Sequence, residues 1–539
     1  MEKLSLFANT AKARWLLPLL LAIAIVRLWL VPLPSSFWVD EMVTAFVVHF
    51  GAAHPSLRVA PQVTATVYYW LPRASEALLG FSEAAYRLPS VLLMGLALFL
   101  IARLAARLIH PQAAWFAVFA CLALRAFNYQ AADARPYALG TCVAAAGLFF
   151  LVRWLDTARR LDELLFLLFG ALLWRVHLIY WPFYVVLAMY AVLRLARRET
   201  KVAWIEVAAV FALLGVLLVP VLFRALAIGR EAKAHVIVEM PTLSDLRVAL
   251  KITLLVQCLV LAFGLTWLGR WKRNSDQPRL SSMVLILGWW LCQPLGLYLY
   301  SEITGNSVFV PRYMSLALPG AALTGTLIAA YFLTGERWKT ASLVLAAAVL
   351  ILVGQWSSAW PRHDRSDWRT AAQSVNHWTL DADTPVICPS PFIEAKPPVW
   401  RPDYQLPGFL YSHLPVYRLT GRLYFFPFEY SPEAQRYALE LSSRTLALAP
   451  RFLIYGRDRD VHNWRKWFAA RPEFSTWPNR SLGPFGDVEV MLFENPKFTS
   501  LATIFLETRP LAQRTPSLSR EPARNQALAN AHRARSLFR

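Results

Sequence analysis

The sequence predicts a mainly α-helical, polytopic membrane protein with about eleven transmembrane helices and a C-terminal α/β domain outside the membrane. Of its 539 residues, 57% are hydrophobic and only 17% are charged, whereas soluble domains contain about 25% charged residues. Apolar runs long enough to cross a bilayer recur through the first two thirds of the chain. They stop at Pro361, where shorter strand and helix patterns begin. This composition excludes an ordinary soluble enzyme and a largely disordered chain.

The apolar runs divide into eleven predicted helices, at about 20 residues per crossing. The run from Leu164 to Leu193 is too long for one crossing and short for two. Basic clusters on both sides of it are typical of cytoplasmic loops, so an even number of crossings must lie between them. We therefore expect two helices with a turn near Arg175–His177. The predicted spans are 15–33, 88–108, 112–131, 136–154, 158–177, 178–197, 202–223, 247–268, 281–301, 313–334 and 340–359.

Basic residues cluster between these apolar runs. The formal net charge of +21 would suit a nucleic-acid-binding protein, but the clustering is what the positive-inside rule predicts for cytoplasmic loops. Lys3, Lys12 and Arg14 put the N-terminus in the cytoplasm, and an odd number of crossings puts the region after Pro361 outside. We expect membrane lipids as partners and no nucleic acid. The five cysteines show no metal-ligand spacing and no disulfide framework.

The predicted domains are a transmembrane domain at 1–360, an outer α/β domain at 361–500 and a disordered basic tail at 501–539. Residues 34–87 form a long first outer loop, with amphipathic segments suited to helices along the membrane interface. The outer domain begins with a helix that Ser366 or Asp367 caps and that ends at Trp378. Its other predicted elements are strands at 385–388, 423–428, 452–455 and 488–493 and helices at 432–442 and 461–470.

Ionisable residues at the outer ends of the predicted spans are the candidate site residues. Asp40 and Glu41 follow the first span directly. Either carboxylate could act as a general base or bind a cation, or Asp40 could cap a helix at 41–50. Adjacent side chains on a helix or strand point apart, so this pair alone does not form a two-carboxylate metal clamp. The sequence implies no specific cofactor, and a bound divalent metal ion is an alternative that it leaves open.

Three further segments bring polar side chains to the same face. Arg135 could bind a phosphate, and Tyr137 could donate a hydrogen bond to it. Alternatively, Asp133 and Arg135 could form an ion pair that stabilises a turn. Arg312 and Tyr313 could contact a headgroup or anchor the helix at the interface. His177 could be a catalytic residue or a hydrogen-bonded packing residue. Arg27, Arg125, Arg87 and His54 are weaker candidates. A lipid-linked phosphate fits this placement, because its head lies at the interface and its chain lies in the bilayer.

At these residues the chain resembles the membrane glycosyltransferases of the GT-C superfamily. It is most similar to the family 39-like group, which includes bacterial protein-mannosyltransferase-like and aminoarabinose-transferase-like proteins. The resemblance spans roughly residues 10–500. The family's His/Pro-Pro-Leu-Tyr-Tyr stretch is replaced here by Ala65–Trp70, without the prolines. The matching segments are Arg27, Trp38–Glu41, Gly80–Ser90, Ala134–Leu139, Val176–Leu178, Val310–Tyr313 and Ser366–Arg369.

The resemblance implies a GT-C-like fold and an enzyme that transfers a sugar, with inversion, from a polyprenyl-phosphate donor to an acceptor hydroxyl at the outer face. The acceptor would be a lipid, a glycan or a protein, and the enzyme would lie in a bacterial cytoplasmic (inner) membrane. Asp40 or Glu41 would be the base. The donor-phosphate set would be Arg135, Tyr137, His177, Arg312, Tyr313 and Arg87. The alternatives are a transporter or flippase for a lipid-linked glycan and a catalytically inactive membrane scaffold. The absence of a visible repeat in the sequence favours the enzyme over a transporter.

Overall fold

A computed structural model describes most of the chain. Parts of the predicted spans 247–268 and 340–359, His54 and the tail at 501–539 lie outside the described residues. The described residues are 15–51, 66–232, 239–251, 278–333, 335, 337–354, 356, 361–379, 381–397, 400, 409–428 and 430–498.

The predicted mainly helical fold is confirmed. Six described helices are long and apolar enough to cross a bilayer, and Leu16–Leu30 is a shorter apolar helix. The chain is a multi-pass membrane protein, and the count of eleven spans stays a prediction. The six are Glu83–Leu108, Tyr137–Thr157, Leu178–Ala196, Trp204–Ala227, Leu280–Thr304 and Pro311–Ala330.

The helices of the first 360 residues are numbered in chain order. The list is α1 (Leu16–Ile25, continued by a wider turn at Val26–Leu30), α2 (Val39–Ala45, continued at Phe46–Phe50), α3 (Trp70–Leu79), α4 (Glu83–Leu108), α5 (Ala114–Leu122), α6 (Arg125–Ala131), α7 (Tyr137–Thr157), α8 (Arg160–Val176), α9 (Phe183–Ala196), α10 (Trp204–Ala232), α11 (Leu243–Ala249), α12 (Leu280–Thr304), a 3₁₀ helix at Pro311–Ala317 that leads into α13 (Leu318–Ala330), and α14 (Arg337–Val353).

The predicted single helix at 112–131 is wrong, because the structure has two helices, α5 and α6, with Leu124 extended between them. The Asn128 side-chain amide donates to the Leu122 carbonyl at 2.6 Å. A side-chain amide that bonds nearby carbonyls competes with the helical pattern. The Asn128 carbonyl oxygen in turn accepts from the Trp29 indole at 3.0 Å, so the break ties α6 to the end of the first helix.

The start of α4 shows how the first outer loop is fastened to the membrane part. Ser82 caps this helix by accepting from the Ala85 N–H at 3.2 Å, so α4 begins five residues before the predicted start at 88. Pro89 lies inside α4 and has no N–H for the Ala85 carbonyl. The Ser75 hydroxyl of α3 donates to that carbonyl instead, at 2.5 Å. Such replacement of a lost backbone bond is what allows proline within a membrane helix.

The region after Pro361 contains a five-stranded sheet in the order β2-β1-β3-β5-β4. The strands β1, β2 and β3 are parallel, and β5 pairs antiparallel with both β3 and β4. All four predicted strands are present, and the short β4 was missed because its three residues lack an apolar pattern. The elements are α15 (Trp368–Trp378), β1 (Pro385–Pro389), α16 (His413–Val416), β2 (Arg422–Phe426), α17 (Pro432–Arg444), β3 (Arg451–Arg457), α18 (Asp458–Ala469), β4 (Asn479–Ser481) and β5 (Val488–Glu494).

The central strand β3 is buried on both faces. Phe452 and Ile454 belong to a cluster with aromatic residues of α18, whereas Leu453 and Tyr455 belong to the core that is continuous with the membrane helices. This alternation follows from the period of two along a strand. One face of the sheet is therefore covered by its own helices, and the other packs toward the membrane part.

Polar contacts join the outer domain to the segment that follows α1. The Tyr417 hydroxyl accepts from the Phe37 N–H at 2.8 Å and donates to Glu83 at 2.8 Å. Arg369, one residue into α15, forms an ion pair with the same Glu83 at 3.0 Å and donates to the Pro34 carbonyl at 2.9 Å. These bonds hold residues 34–37 between α4 and the outer domain.

Candidate active site

Glu41 and Arg87 form an ion pair in the protein interior, and neither side chain is exposed. Arg87 Nε and Nη2 donate to the two carboxylate oxygens at 2.8 and 2.5 Å. The backbone N–H groups of Ala134 and Trp38 donate to the same carboxylate at 2.7 and 3.2 Å. These four hydrogen bonds fill the acceptor sites of Glu41. Burial raises the pKa of Glu41, but the charge and hydrogen bonds of Arg87 outweigh this effect and hold the pKa below its usual value.

The remaining donors of Arg87 are also used. Nη1 donates to the carbonyls of Leu33 and Ser35 at 2.8 and 2.6 Å, and Nη2 donates to the Ser36 carbonyl at 3.0 Å. All five N–H groups of the guanidinium therefore have acceptors within the protein. This geometry favours a positioning role for Arg87, which fastens the segment after α1 to Glu41, over the predicted contact with a donor phosphate.

Asp40 faces a different environment from Glu41, as expected for adjacent positions on a helix. Its Oδ2 lies 3.1 Å from Nη1 of Arg312, and 16% of its side chain is exposed. Nη1 of Arg135 donates to the Asp40 backbone carbonyl at 3.1 Å. Asp40 is not the helix cap: Trp38 holds that position, and Glu41 accepts its N–H. The structure thus brings the predicted base together with two of the predicted phosphate ligands.

Arg135 is only partly satisfied within the chain. Its Nε is buried and has no hydrogen-bond partner among the described residues. Burial lowers the pKa of Arg135, but Asp40 and other neighbours raise it above its ordinary value, so the guanidinium stays charged. Asp133 forms no salt bridge with Arg135 in the described part of the chain, and the alternative of an Asp133–Arg135 pair is wrong.

Tyr137, His177 and Tyr313 form one wall of this cluster. The His177 ring centroid lies 6.1 Å from that of Tyr137 and 5.4 Å from that of Tyr313. The Arg312 guanidinium carbon lies 5.7 Å from the Tyr313 ring centre. The Tyr137 hydroxyl is buried and lacks a hydrogen-bond partner within the described ranges. The predicted phosphate set, apart from Arg87, therefore gathers around Asp40.

His177 reaches this wall because helix α8 ends one residue before it. His177 is extended and its Nδ1 accepts from the Ile179 N–H at 3.4 Å, which confirms the predicted turn near this residue. Gly140, on α7, allows the turn to approach closely. A Cβ at position 140 would clash with the Tyr180 ring, so glycine fits there without displacing that ring.

His363 is a site residue that the sequence analysis missed. Its Nε2 lies 3.6 Å from Asp133 Oδ1 and 4.0 Å from Glu41 Oε1, and its side chain is 1% exposed. Burial raises the pKa of Asp133, His363 opposes the effect, and the Glu41 charge adds to it, so the pKa lies above its usual value. The available signal was a histidine in the polar run directly after the last predicted span.

Glu41, Asp133 and His363 each offer a ligand atom, and these atoms lie within 4.8 Å of one another. Metal binding needs a free electron pair on each ligand atom. The four hydrogen bonds to Glu41 already occupy its oxygens, and Arg87 places a positive charge against them. The residues present therefore fit a divalent metal poorly, and no step of the chemistry is assigned to one.

Two further groups approach the cluster. Tyr68 and Tyr69 are buried at the start of α3. Burial raises the pKa of both phenols, and the charge of Arg135 opposes this effect. Arg457 comes from the end of β3. Burial lowers the pKa of Arg457, and the charges of Asp460 and Asp40 oppose this effect. The sequence analysis missed Arg457 because nothing local links it to Asp40.

Comparisons with known proteins agree with this fold. A family model described as dolichyl-phosphate-mannose-protein mannosyltransferase matches residues 63–223. A search of curated proteins finds no significant match. The crystal structure of ArnT from Cupriavidus metallidurans in the apo state aligns with a TM-score of 0.53 and 11% identity, over 90% of this chain and 98% of ArnT.

A second ArnT structure from Cupriavidus metallidurans, bound to undecaprenyl phosphate, aligns with a TM-score of 0.51 and 12% identity, over 88% of this chain and 97% of ArnT. At this level of identity the likeness concerns the fold. The predicted resemblance to the GT-C membrane glycosyltransferases is confirmed for the fold, which matches nearly the whole length of both ArnT structures, and for residues 63–223, which match the mannosyltransferase family model.

Proposed function

We propose that this protein is a membrane glycosyltransferase that moves a sugar from a polyprenyl-phosphate donor to an acceptor hydroxyl at the outer face of a bacterial inner membrane. The observation that carries the proposal is the gathering of Asp40 with Arg135 and Arg312, two guanidinium groups within 3.1 Å of Asp40 atoms. The undecaprenyl phosphate bound in a structure of the same fold supports a polyprenyl phosphate as the sugar carrier.

The reaction needs one base and one group that stabilises a leaving phosphate. The Asp40 carboxylate takes the proton of the acceptor hydroxyl. The acceptor oxygen attacks the anomeric carbon from the side opposite the phosphate, so the configuration inverts. The bond between the anomeric carbon and the phosphate oxygen breaks, and its electron pair leaves with the polyprenyl phosphate.

Arg135 and Arg312 bind the leaving phosphate, because charge-assisted bonds from guanidinium groups match its geometry. The unpartnered Arg135 Nε and Tyr137 hydroxyl supply further donors in the same place. These groups stabilise the charge that develops on the phosphate as the sugar leaves. His177 and Tyr313 form the wall that orients the donor.

Glu41 has a positioning role in this scheme rather than the role of base. Its oxygens are filled by Arg87 and two backbone N–H groups, so no position remains from which it could accept a proton from an acceptor. Through Trp38 and Ala134 it fixes the segments that carry Asp40 and Arg135. The outer location follows from the predicted orientation, with the N-terminus in the cytoplasm and the region after Pro361 outside.

A complementation experiment tests this proposal. Cells that lack the gene are complemented with the wild-type protein, Asp40→Asn or the matched control Glu302→Gln, an exposed acid at the end of α12. Membrane glycolipids and envelope glycans are then profiled by mass spectrometry at equal protein levels. We expect Asp40→Asn to lower the product by about 10²–10⁴-fold, the range for loss of a general base. The proposal fails if this variant restores the product as fully as Glu302→Gln does.

A further inference from the structure

A cavity of about 170 Å³ opens on the outer domain, and all of its lining residues belong to that domain. It lies at the carboxyl ends of two parallel strands, because its residues follow β2 or begin the helix after β3. In open α/β sheets this edge is where ligands bind. The cavity is lined by Phe428, Tyr430, Arg459, Asp460, Asn463 and Trp464.

Aromatic rings form one side of this outer cavity. Tyr430 is 43% exposed, and its ring centre lies 4.9 Å from that of Trp464 in an edge-to-face contact. Trp464 packs in turn against Phe426 at 4.7 Å, which fixes it to the end of β2. The aromatic side is therefore a rigid apolar surface with one phenol open to solvent.

Polar groups of three kinds form the other side. Asn463 supplies an amide and Asp460 a carboxylate that is only 6% exposed. The Arg459 guanidinium lies 5.7 Å from the Phe428 ring centre, and its Nε donates to Asp460 at 3.4 Å. An amide, a carboxylate and a guanidinium together can both donate to and accept from the hydroxyl groups of one small ligand.

This mixture is typical of a site for a saccharide unit. A pyranose presents hydroxyls around its rim, which match donors and acceptors, and a face of C–H groups, which packs on an aromatic ring. A phosphate ligand would need an excess of positive charge, but here Asp460 offsets Arg459. The small volume admits a single ring rather than an extended apolar chain.

The position of the outer cavity connects it to the reaction cluster. Asp460 lies three residues after Arg457, and the charges of Asp460 and Asp40 both act on the pKa of Arg457. Helix α16 of the outer domain also packs against α2, the helix that carries Asp40. The outer domain that carries the cavity therefore packs against the segment where the acceptor hydroxyl must be deprotonated.

We propose that the outer cavity binds a neutral saccharide unit of the acceptor, with Tyr430 stacking on the ring and Asn463 and Asp460 bonding its hydroxyls. Its assignment to the acceptor rests on the proposed glycosyltransferase function. The acceptor of this enzyme is thus a glycan or a glycolipid that already carries a sugar, which the outer domain holds while another of its hydroxyls reaches Asp40.

A glycan array tests the proposal with the full-length protein in detergent micelles. The probes are defined oligomers of neutral hexoses, N-acetylhexosamines and uronic acids. Tyr430→Ala and Asn463→Ala are compared with two exposed controls, Phe498→Ala and His462→Ala, which lie outside the cavity lining. We expect the wild-type protein and both controls to bind a neutral class. The two cavity variants should bind it at least about tenfold more weakly, the effect of losing one good contact.

Each outcome bears on one proposal. If the wild-type protein binds no probe, or if all four variants bind alike, the saccharide site is overturned, whatever Asp40→Asn does to the glycan product. If the cavity variants lose binding while Asp40→Asn leaves the glycan product intact, the proposed function fails and the saccharide site stands. Binding restricted to uronic acids overturns the assignment to a neutral unit.

Discussion

Two neighbouring carboxylates, Glu41 and Asp40, occupy contrasting surroundings. Glu41 is fully buried and shares four hydrogen bonds with Arg87 and two backbone groups. Asp40 is partly exposed and faces Arg312 at 3.1 Å, and Arg135 beside it keeps an unpartnered Nε. The same residue types therefore form a closed pair on one side of α2 and an open cluster on the other.

We infer that hydrogen-bond satisfaction separates a structural ion pair from one that can bind a substrate. A buried pair whose donors and acceptors are all used is costly to break and has nothing left for a substrate. An arginine with a free donor at a partly open position can receive a phosphate. Substitutions on the two sides of α2 should therefore have different effects on folding and on phosphate binding.

The largest expected effect is on folding, from Arg87→Met. Removing this guanidinium leaves the Glu41 charge buried without its partner, which costs about 3–5 kcal/mol. We expect a large fall in the thermal unfolding temperature of the purified protein in detergent, together with poor expression. The double variant Arg87→Met/Glu41→Leu should recover much of the loss, because no unpaired charge remains. If Arg87→Met were as stable as the wild-type protein, the inference that Glu41 and Arg87 form a stabilising buried ion pair would be wrong.

An intermediate effect is expected from Arg135→Gln, on binding rather than folding. Loss of charge-assisted bonds is worth about 1.5–3 kcal/mol, so the affinity for undecaprenyl phosphate should fall about 10–100-fold. This affinity is measured by titrating undecaprenyl phosphate into the purified protein in detergent. The matched control is Arg125→Gln, an exposed arginine on α6. If Arg135→Gln lowers the unfolding temperature as much as Arg87→Met does, Arg135 has a structural role rather than a role in binding the phosphate.

The smallest expected effect is a pH dependence of stability with opposite signs at two carboxylates. The pKa of Glu41 is lowered in the fold, so its contribution is present above about pH 4.5 and is lost as the pH falls below that value. The pKa of Asp133 is raised in the fold, so its protonation stabilises the folded state as the pH falls. Between about pH 7 and pH 3.5, the unfolding temperature should fall less steeply in Glu41→Gln than in the wild-type protein and more steeply in Asp133→Asn. Parallel curves for the three proteins would contradict these signs.

Much of the fold was predictable because its signals are local. Long apolar runs required membrane helices, and the predicted short strands of the outer domain appeared at 385–389, 422–426, 451–457 and 488–494. The errors were in helix boundaries, where a side chain competes with or caps the helical backbone, and the hydropathy pattern does not reveal this. Asn128 breaks a helix at Leu124 through its own side chain, and Ser82 extends another by capping it early.

The candidate site was predictable only in part. Asp40, Arg135, Tyr137, His177, Arg312 and Tyr313 were each found as polar residues at one membrane face, and they lie together. His363 and Arg457 were missed because they reach the site from a domain more than 300 residues away along the chain. Arg87 was found, but three of its five bonds go to backbone carbonyls of residues 33–36, and the other two go to Glu41.

The sequence by itself determined that this chain crosses a membrane repeatedly, because the burial of apolar side chains and the pairing of backbone groups in lipid leave no other arrangement. It also determined which residues could be charged at the outer face. Only the tertiary structure decided which of two adjacent acids is enclosed and which is open. That distinction depends on donors from Ala134, Arg87 and Arg312, and long-range packing, rather than any local pattern, brings them to α2.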